Sequence, residues 1–225
     1  EIFGGTGMNF LNVALVARAF LFFSYPAKMS GDSVWLSTDT IFGLGNQLPD
    51  GFTMATPLGQ IGQGAVPTAS LTDMILGFIP GSIGETSVVA IVIGAVILLW
   101  SGVASWKTML SVFVGGGLTA ALFHACGTTP ITWYEHLVLG GFAFGAVFMA
   151  TDPVTSARTE TGKWIYGFLI GLMAVVIRVL NPGYPEGMML AILLMNVFAP
   201  LIDYCVVERN VSHRINRAKN NKKEA

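Results

Sequence analysis

Apolar positions in this chain fall into long unbroken stretches, not into alternating or narrow amphipathic stripes. A bilayer core about 30 Å thick is crossed by roughly 20 residues of helix. Six stretches meet or approach that length: residues 8–25, 86–103, 106–125, 131–150, 164–180 and 186–207. The second has the densest centre, VVAIVIGAVILLW. The pattern predicts an all-α polytopic membrane protein with about six transmembrane helices. Two glycine pairs four residues apart, Gly141 with Gly145 and Gly167 with Gly171, put small residues on one helix face, as close helix packing in membranes requires.

One connection breaks the rhythm. Residues 26–85 form a loop far longer than usual, and such loops are functional or disordered. Trp35, Ile41, Phe42, Phe52 and Leu58 within it argue against disorder. Its end, LTDMILGFIPGSIG (71–84), is a short apolar run cut by Pro80 and glycines. It reads either as a half-helix of the kind that borders transporter sites or as an amphipathic surface helix.

Composition agrees with the pattern. Of 225 residues, 53% are hydrophobic and 11% charged, against about 25% charged in soluble domains. Mean hydropathy is +0.65. Cys126 and Cys205 lie in or beside apolar stretches and His124, His136 and His213 are scattered, so neither a disulfide framework nor a zinc site is indicated. The chain opens at Glu1 close to an apolar run, without a basic n-region, and is expected to be the C-terminal piece of a longer protein.

Charge sets an orientation. Arg209, Arg214, Arg217, Lys219, Lys222 and Lys223 make up half of the twelve basic residues. Basic loops stay inside, so residues 208–225 are expected to be a cytoplasmic tail following a membrane domain over 1–207. A nucleic-acid role for the tail is the weaker explanation of the same charges. With six alternating spans, Lys107, Arg158 and Lys163 fall on the cytoplasmic side, and the 26–85 loop falls outside it with Lys28.

Ionisable residues inside membrane segments are costly and are functional candidates. Asp203 lies in APLIDYCVV and Asp152 in FMATDPVTS; Glu135 and Glu186 lie near the outer ends of their stretches, with Arg18 and Arg178 as possible partners. Each also reads as a buried pair or a snorkelling side chain. In the loop, DGFTMATPLGQIGQG (50–64) carries Thr56-Pro57, an N-cap followed by a proline suited to the first helical position. Its glycines leave backbone amides open, so Thr56 reads as a cap and as a place where a phosphate could sit.

Five segments carry a resemblance: SGDSVW (30–35), DGFTMATPL (50–58), IPGSIGETS (79–87), HLVLGGFAFGAVFMATDPVTS (136–156) and YPEGMMLAILLMNVFAPLID (184–203), followed by VVERN and a basic ending. With these the chain resembles the NqrB/RnfD family. That family holds the NqrB subunits of the bacterial Na⁺-translocating NADH:quinone oxidoreductases and the RnfD subunits of the Rnf ferredoxin:NAD⁺ oxidoreductases. SGDSVW, the long fourth segment and the ending resemble the former more.

The resemblance implies the later part of a ten-helix fold related to urea transporters, in a bacterial inner membrane. It implies FMN joined through its phosphate to a threonine in a D-x-x-(S/T)-G-A-T motif, which falls on Thr56. Asp50 and Ala55-Thr56 keep the motif; Thr53 stands where serine is usual and Met54 where glycine is usual. It further implies a nearby non-covalent riboflavin, partner subunits of the A, C, D, E and F types, quinone as electron acceptor and Na⁺ as the transported ion. On that reading Asp203, Asp152 and Glu186 are candidates for the Na⁺ path. An Rnf-type subunit, or a solute channel of the same fold without redox chemistry, are the competing expectations.

Overall fold

The computed structural model describes residues 9–25, 56–62, 70–79, 81–82, 84–129, 131–181 and 187–224. Among them the architecture is helical. In chain order come α1 (Val13–Ser24), α2 (Pro57–Gly62), α3 (Leu71–Leu76), α4 (Val88–Trp100), α5 (Trp106–Ala125), α6 (Trp133–Val138), α7 (Phe142–Phe144, running into a π-helical turn over Gly145–Met149), α8 (Glu160–Leu180) and α9 (Met188–Glu224). Three helices, α5, α8 and α9, are long and apolar enough to cross a membrane; α1 and α4 are apolar but shorter.

The core is built on α5 and α8. The buried face of α5 reads Thr108, Ser111, Val112, Gly115, Gly116 and Thr119, and that of α8 reads Gly162, Tyr166, Gly167, Ile170, Gly171 and Val175. Both follow the helical repeat of three and four, and both are rich in small residues. A Cβ on Gly171 would stand 2.2 Å from the Val112 carbonyl oxygen, and one on Gly115 would stand 2.3 Å from that of Phe168. The two backbones therefore touch, as small-residue interfaces in membranes allow. Helix α9 adds Met188, Ala191, Ile192, Met195 and Ala199 to the same core.

Side-chain contacts fix the directions. Lys107 and Ser111 near the start of α5 meet Glu160 and the Lys163 carbonyl at the start of α8, so these helices are parallel. Asp203, far along α9, meets Thr159 before α8, while Gly187 before α9 lies against Ala174 and Arg178 near the end of α8. Helices α8 and α9 are thus antiparallel. The basic tail leaves the bundle at the end where α5 and α8 begin.

One expected span is divided. The stretch 131–150 is not one helix. Gly140 adopts φ +62°, a left-handed conformation that ends a helix, and α6 stops before it. Arg178 donates from Nη1 to the His136 carbonyl at 2.6 Å and from Nη2 to the Leu139 carbonyl at 3.2 Å, so the carbonyls released by the break are satisfied inside the bundle. The expected membrane–tail boundary at 207/208 also falls inside a helix. Helix α9 passes through Pro200 and continues into the tail as one element of 37 residues.

The 71–84 run contains a short helix. Ser70 Oγ accepts from the Asp73 amide, Gly77 closes the helix in the left-handed region, and Met74 packs with Ile79, Ile131 and Leu139. This short piece is packed against the broken segment, with Met74 inside and Leu76 and Phe78 exposed.

Candidate functional site

The end of the bundle away from the tail holds the loop residue singled out by sequence. Helix α2 begins at Pro57, directly after Thr56, and Thr56 Oγ1 accepts from the Gly59 amide at 3.0 Å, the capping bond expected of threonine before a first-turn proline. Thr56 is half-buried. The next turn is fixed to the bundle: Leu58 is buried, and a Cβ on Gly140 would meet Leu58 Cδ2 at 2.9 Å and Arg178 Nη2 at 3.7 Å. The capped turn therefore sits on the break between α6 and α7, above a buried guanidinium. Glu85 reaches the same break. Its Oε1 accepts from the Ser82 amide at 3.1 Å, and its Oε2 lies 3.0 Å from where a Gly141 Cβ would stand.

His136 sits one turn before this break. It is 1% exposed, and neither ring nitrogen has a hydrogen-bond partner among the described residues. A neutral imidazole carries one donor and one acceptor. Leaving both unpaired costs on the order of 1–3 kcal/mol for each. Sequence reasoning passed over His136 because it was weighed only as a metal ligand.

At the tail end the two aspartates are engaged with neighbours. Asp203 Oδ1 accepts from the Thr159 amide at 3.0 Å and its hydroxyl at 2.6 Å, and Oδ2 accepts from the Arg158 amide at 2.7 Å. The carboxylate caps α8 from another helix, at the positive end of its dipole. Asp152 Oδ2 accepts from Thr155 Oγ1 at 2.8 Å and Asn12 Nδ2 at 3.3 Å, and Oδ1 accepts from the Val154 amide at 3.1 Å. Asn12 in turn caps α1 through the Ala14 and Leu15 amides. Each carboxylate thus holds three donors, leaving about one of its four lone-pair positions. Glu135 is engaged at the start of α6, accepting from the Thr132 amide and hydroxyl, each at 2.7 Å.

Between these layers, Tyr166 Oη donates to Asn196 Oδ1 at 2.6 Å in the buried core, and Asn196 Nδ2 has no partner among the described residues. This polar pair inside an apolar layer also escaped the sequence reading, since tyrosine and asparagine carry no charge to flag them. Glu186, Asp50, Met54 and the SGDSVW segment lie outside the described residues. Among the described residues no three His, Cys, Asp or Glu side chains cluster as a metal site.

Comparison with known proteins places this arrangement. The chain is 56% identical, over 226 residues, to the B subunit of the Na(+)-translocating NADH-quinone reductase of Chromohalobacter salexigens, covering 96% of this chain and 52% of that protein. It is 53% identical to the protein of that name in Klebsiella pneumoniae, covering 96% and 53%, and 52% identical to that of Pseudomonas aeruginosa, covering 96% and 54%. The chain spans about half the length of these relatives. The apolar helices and this kinship make it a multi-pass membrane protein. Residues 1–212 match the family model described as NQR2, RnfD, RnfE, and the chain belongs to that family.

Proposed function

We propose that this chain is the later part of a membrane subunit of a Na⁺-pumping NADH:quinone reductase and carries FMN esterified to Thr56. The observation that carries the reading is the seat of Thr56. Its hydroxyl is half-buried at the head of α2, whose Leu58 is locked onto the α6–α7 break. Gly59 leaves the hydroxyl room, since a Cβ there would come within 3.2 Å of it. The nearby break also offers His136, buried with both ring nitrogens unpartnered among the described residues, as the kind of group a planar polar cofactor satisfies. The flavin supplies electron transfer; this chain's residues anchor it, exclude water and set its surroundings.

Orientation follows the same reading. Six spans of a ten-helix urea-transporter-like fold put the basic tail in the cytoplasm, and Thr56 on the outer side of a bacterial inner membrane. That Thr56 and the tail lie at opposite ends of the bundle supports it. Partner subunits of the A, C, D, E and F types, a riboflavin and the quinone belong to the assembled complex. The names of the relatives favour this reading over the Rnf-type one.

The test is direct. Full-length protein made with its native flavin transferase is run on a denaturing gel, and its peptides are mapped by mass. Flavin fluorescence that survives denaturation, with FMN minus water on the Thr56 peptide, is expected; Thr56→Ala loses it. An unmodified Thr56 peptide and a dark band overturn the proposal and favour a non-redox transporter.

For Na⁺, the path would pass Asp152 and Asp203 at the tail end, with Glu186 as a third acidic group. With three donors already on each aspartate, neither forms an ion cage alone, so their part is to hand on an ion briefly or to hold the loop that does. Asp203→Asn in the intact complex is expected to raise the Na⁺ concentration needed for half-maximal turnover. Unchanged Na⁺ dependence in folded protein removes Asp203 from the path.

A further inference from the structure

A cleft of about 450 Å³ opens at the tail end of the bundle, between the α4–α5 connection and the loop preceding α8, and Lys107, Arg158, Lys163 and Glu160 line it together with Trp106. Three cations face one carboxylate. Glu160 accepts from Lys107 and Lys163, which holds both ammonium groups at the rim, and Arg158 uses its backbone amide for Asp203 while its side chain is exposed. The cleft therefore keeps an excess of positive charge with the cations already positioned.

One lining residue, Trp106, leads from the cleft onto the apolar flank of the bundle. Trp106 packs edge-on against Trp164 at 5.9 Å, and both are partly exposed, as is Trp100 at the end of α4. Indoles at one level mark the boundary of hydrocarbon and headgroups. From Trp106, the exposed residues Leu110, Val114 and Leu118 follow every four residues down α5, on the slowly winding row of neighbouring side chains. A cationic cleft at the headgroup level thus opens onto an unbroken apolar track at the acyl level.

We propose that this cleft binds the headgroup of an anionic phospholipid, its phosphate diester held by Lys107, Arg158 and Lys163 and an acyl chain lying along Trp106, Leu110, Val114 and Leu118. A soluble phosphate would use the cations but not the track, and a peptide segment would not need the indoles at the headgroup level. Basic pockets between membrane helices on the cytoplasmic side suit such lipids. The site is independent of Thr56 and of any flavin.

The experiment uses the full-length protein in its purified complex, stripped of lipid and titrated with phosphatidylglycerol, phosphatidylcholine or glycerol phosphate, with bound lipid counted by native mass spectrometry. Phosphatidylglycerol is expected to bind and to raise the thermal midpoint; the other two are not. Arg158→Gln and Lys107→Gln are each expected to weaken phosphatidylglycerol binding roughly fivefold, the effect of one basic residue near a membrane surface. Arg217→Gln in the tail, the same charge change outside the cleft, is expected to leave it intact. Equal binding by wild type and both cleft variants overturns the proposal. So does protection by glycerol phosphate equal to that by the lipid, which makes the cleft a soluble-anion site. Loss of a partner protein from the cleft variants, with lipid count unchanged, also overturns it and makes the cleft a protein interface.

Discussion

Two glycine pairs with the same spacing do different work in this bundle. Gly167 and Gly171 face backbone: a Cβ on Gly171 would stand 2.2 Å from the Val112 carbonyl oxygen and 2.5 Å from the Gly116 amide, and one on Gly167 would stand 2.7 Å from the Thr108 carbonyl oxygen, behind the nearer Ser111 hydroxyl at 1.9 Å. Gly141 and Gly145 face side-chain atoms, a Glu85 carboxylate oxygen at 3.0 Å and the Met188 side chain at 2.4 Å. The first pair welds α8 to α5. The second lies in a segment that has already given up regular helix, with a left-handed Gly140 and a π-helical turn. A glycine repeat in a membrane helix thus reports a close approach, and the nature of the neighbour decides whether the approach is structural.

The largest expected effect breaks the irregular segment itself. Arg178→Met removes both donors from the His136 and Leu139 carbonyls, at about 1–3 kcal/mol for each carbonyl left unpaired. The protein is expected to lose most of its folded yield in mild detergent, measured by size exclusion, and the FMN proposed at Thr56 to become accessible to solvent quenchers. Near-normal yield would mean that the break holds without Arg178. Next comes Gly171→Ala, which overpacks the α5–α8 weld against backbone at about 1–3 kcal/mol. A clear drop in thermal midpoint is expected, with the proposed flavin attachment unchanged in the protein that folds. Retained stability would show that the two helices can separate without cost.

The regular part of this fold was legible in the sequence and the irregular part was not. Helix α5 matches its expected bounds, and α8 begins four residues before the expected 164, because a polar turn from Glu160 to Lys163 extends it past the apolar run. Long apolar stretches carry that information by themselves. The break at Gly140 was hidden because Leu139 and Phe142 keep the stretch apolar on both sides, and only the partner guanidinium of Arg178, on another helix, makes a break tolerable. Thr56 was legible because a cap followed by proline is local chemistry. The engagement of Asp203 was not, since its three donors come from residues 158 and 159, on another element, and a lone acid in an apolar run reads the same whether it caps a helix or meets an ion.

Asp203 sharpens the comparison at the start of the welded helix. Asp203→Asn keeps the shape, but its amide nitrogen cannot accept, so the exposed Arg158 amide exchanges its bond for one to water and only neutral bonds to Thr159 remain, a loss of about 1 kcal/mol. Its thermal midpoint is expected to fall less than that of Gly171→Ala. Asp203→Ala, which leaves the Arg158 and Thr159 amides without their acceptor, is expected to fall further. If Asn and Ala are equivalent in midpoint, the cap contributes nothing and the carboxylate is free for another role.

The smallest effect belongs to Gly145→Ala, and it separates the two pairs most cleanly. Alanine in place of glycine favours helix by about 0.5–1 kcal/mol, while the new methyl would meet Cγ of the buried Met188, so that side chain must take a new rotamer at a cost of about 0.5–1.5 kcal/mol. The two nearly cancel, so the thermal midpoint is expected to stay within a degree or two of wild type, a small shift for a domain of this size. Combining Gly145→Ala with Met188→Ala, which clears the space, should then raise the midpoint above that of Met188→Ala alone. A large loss in Gly145→Ala would mean instead that the π-helical turn itself requires glycine, and that the irregular segment is held as rigidly as the weld between α5 and α8.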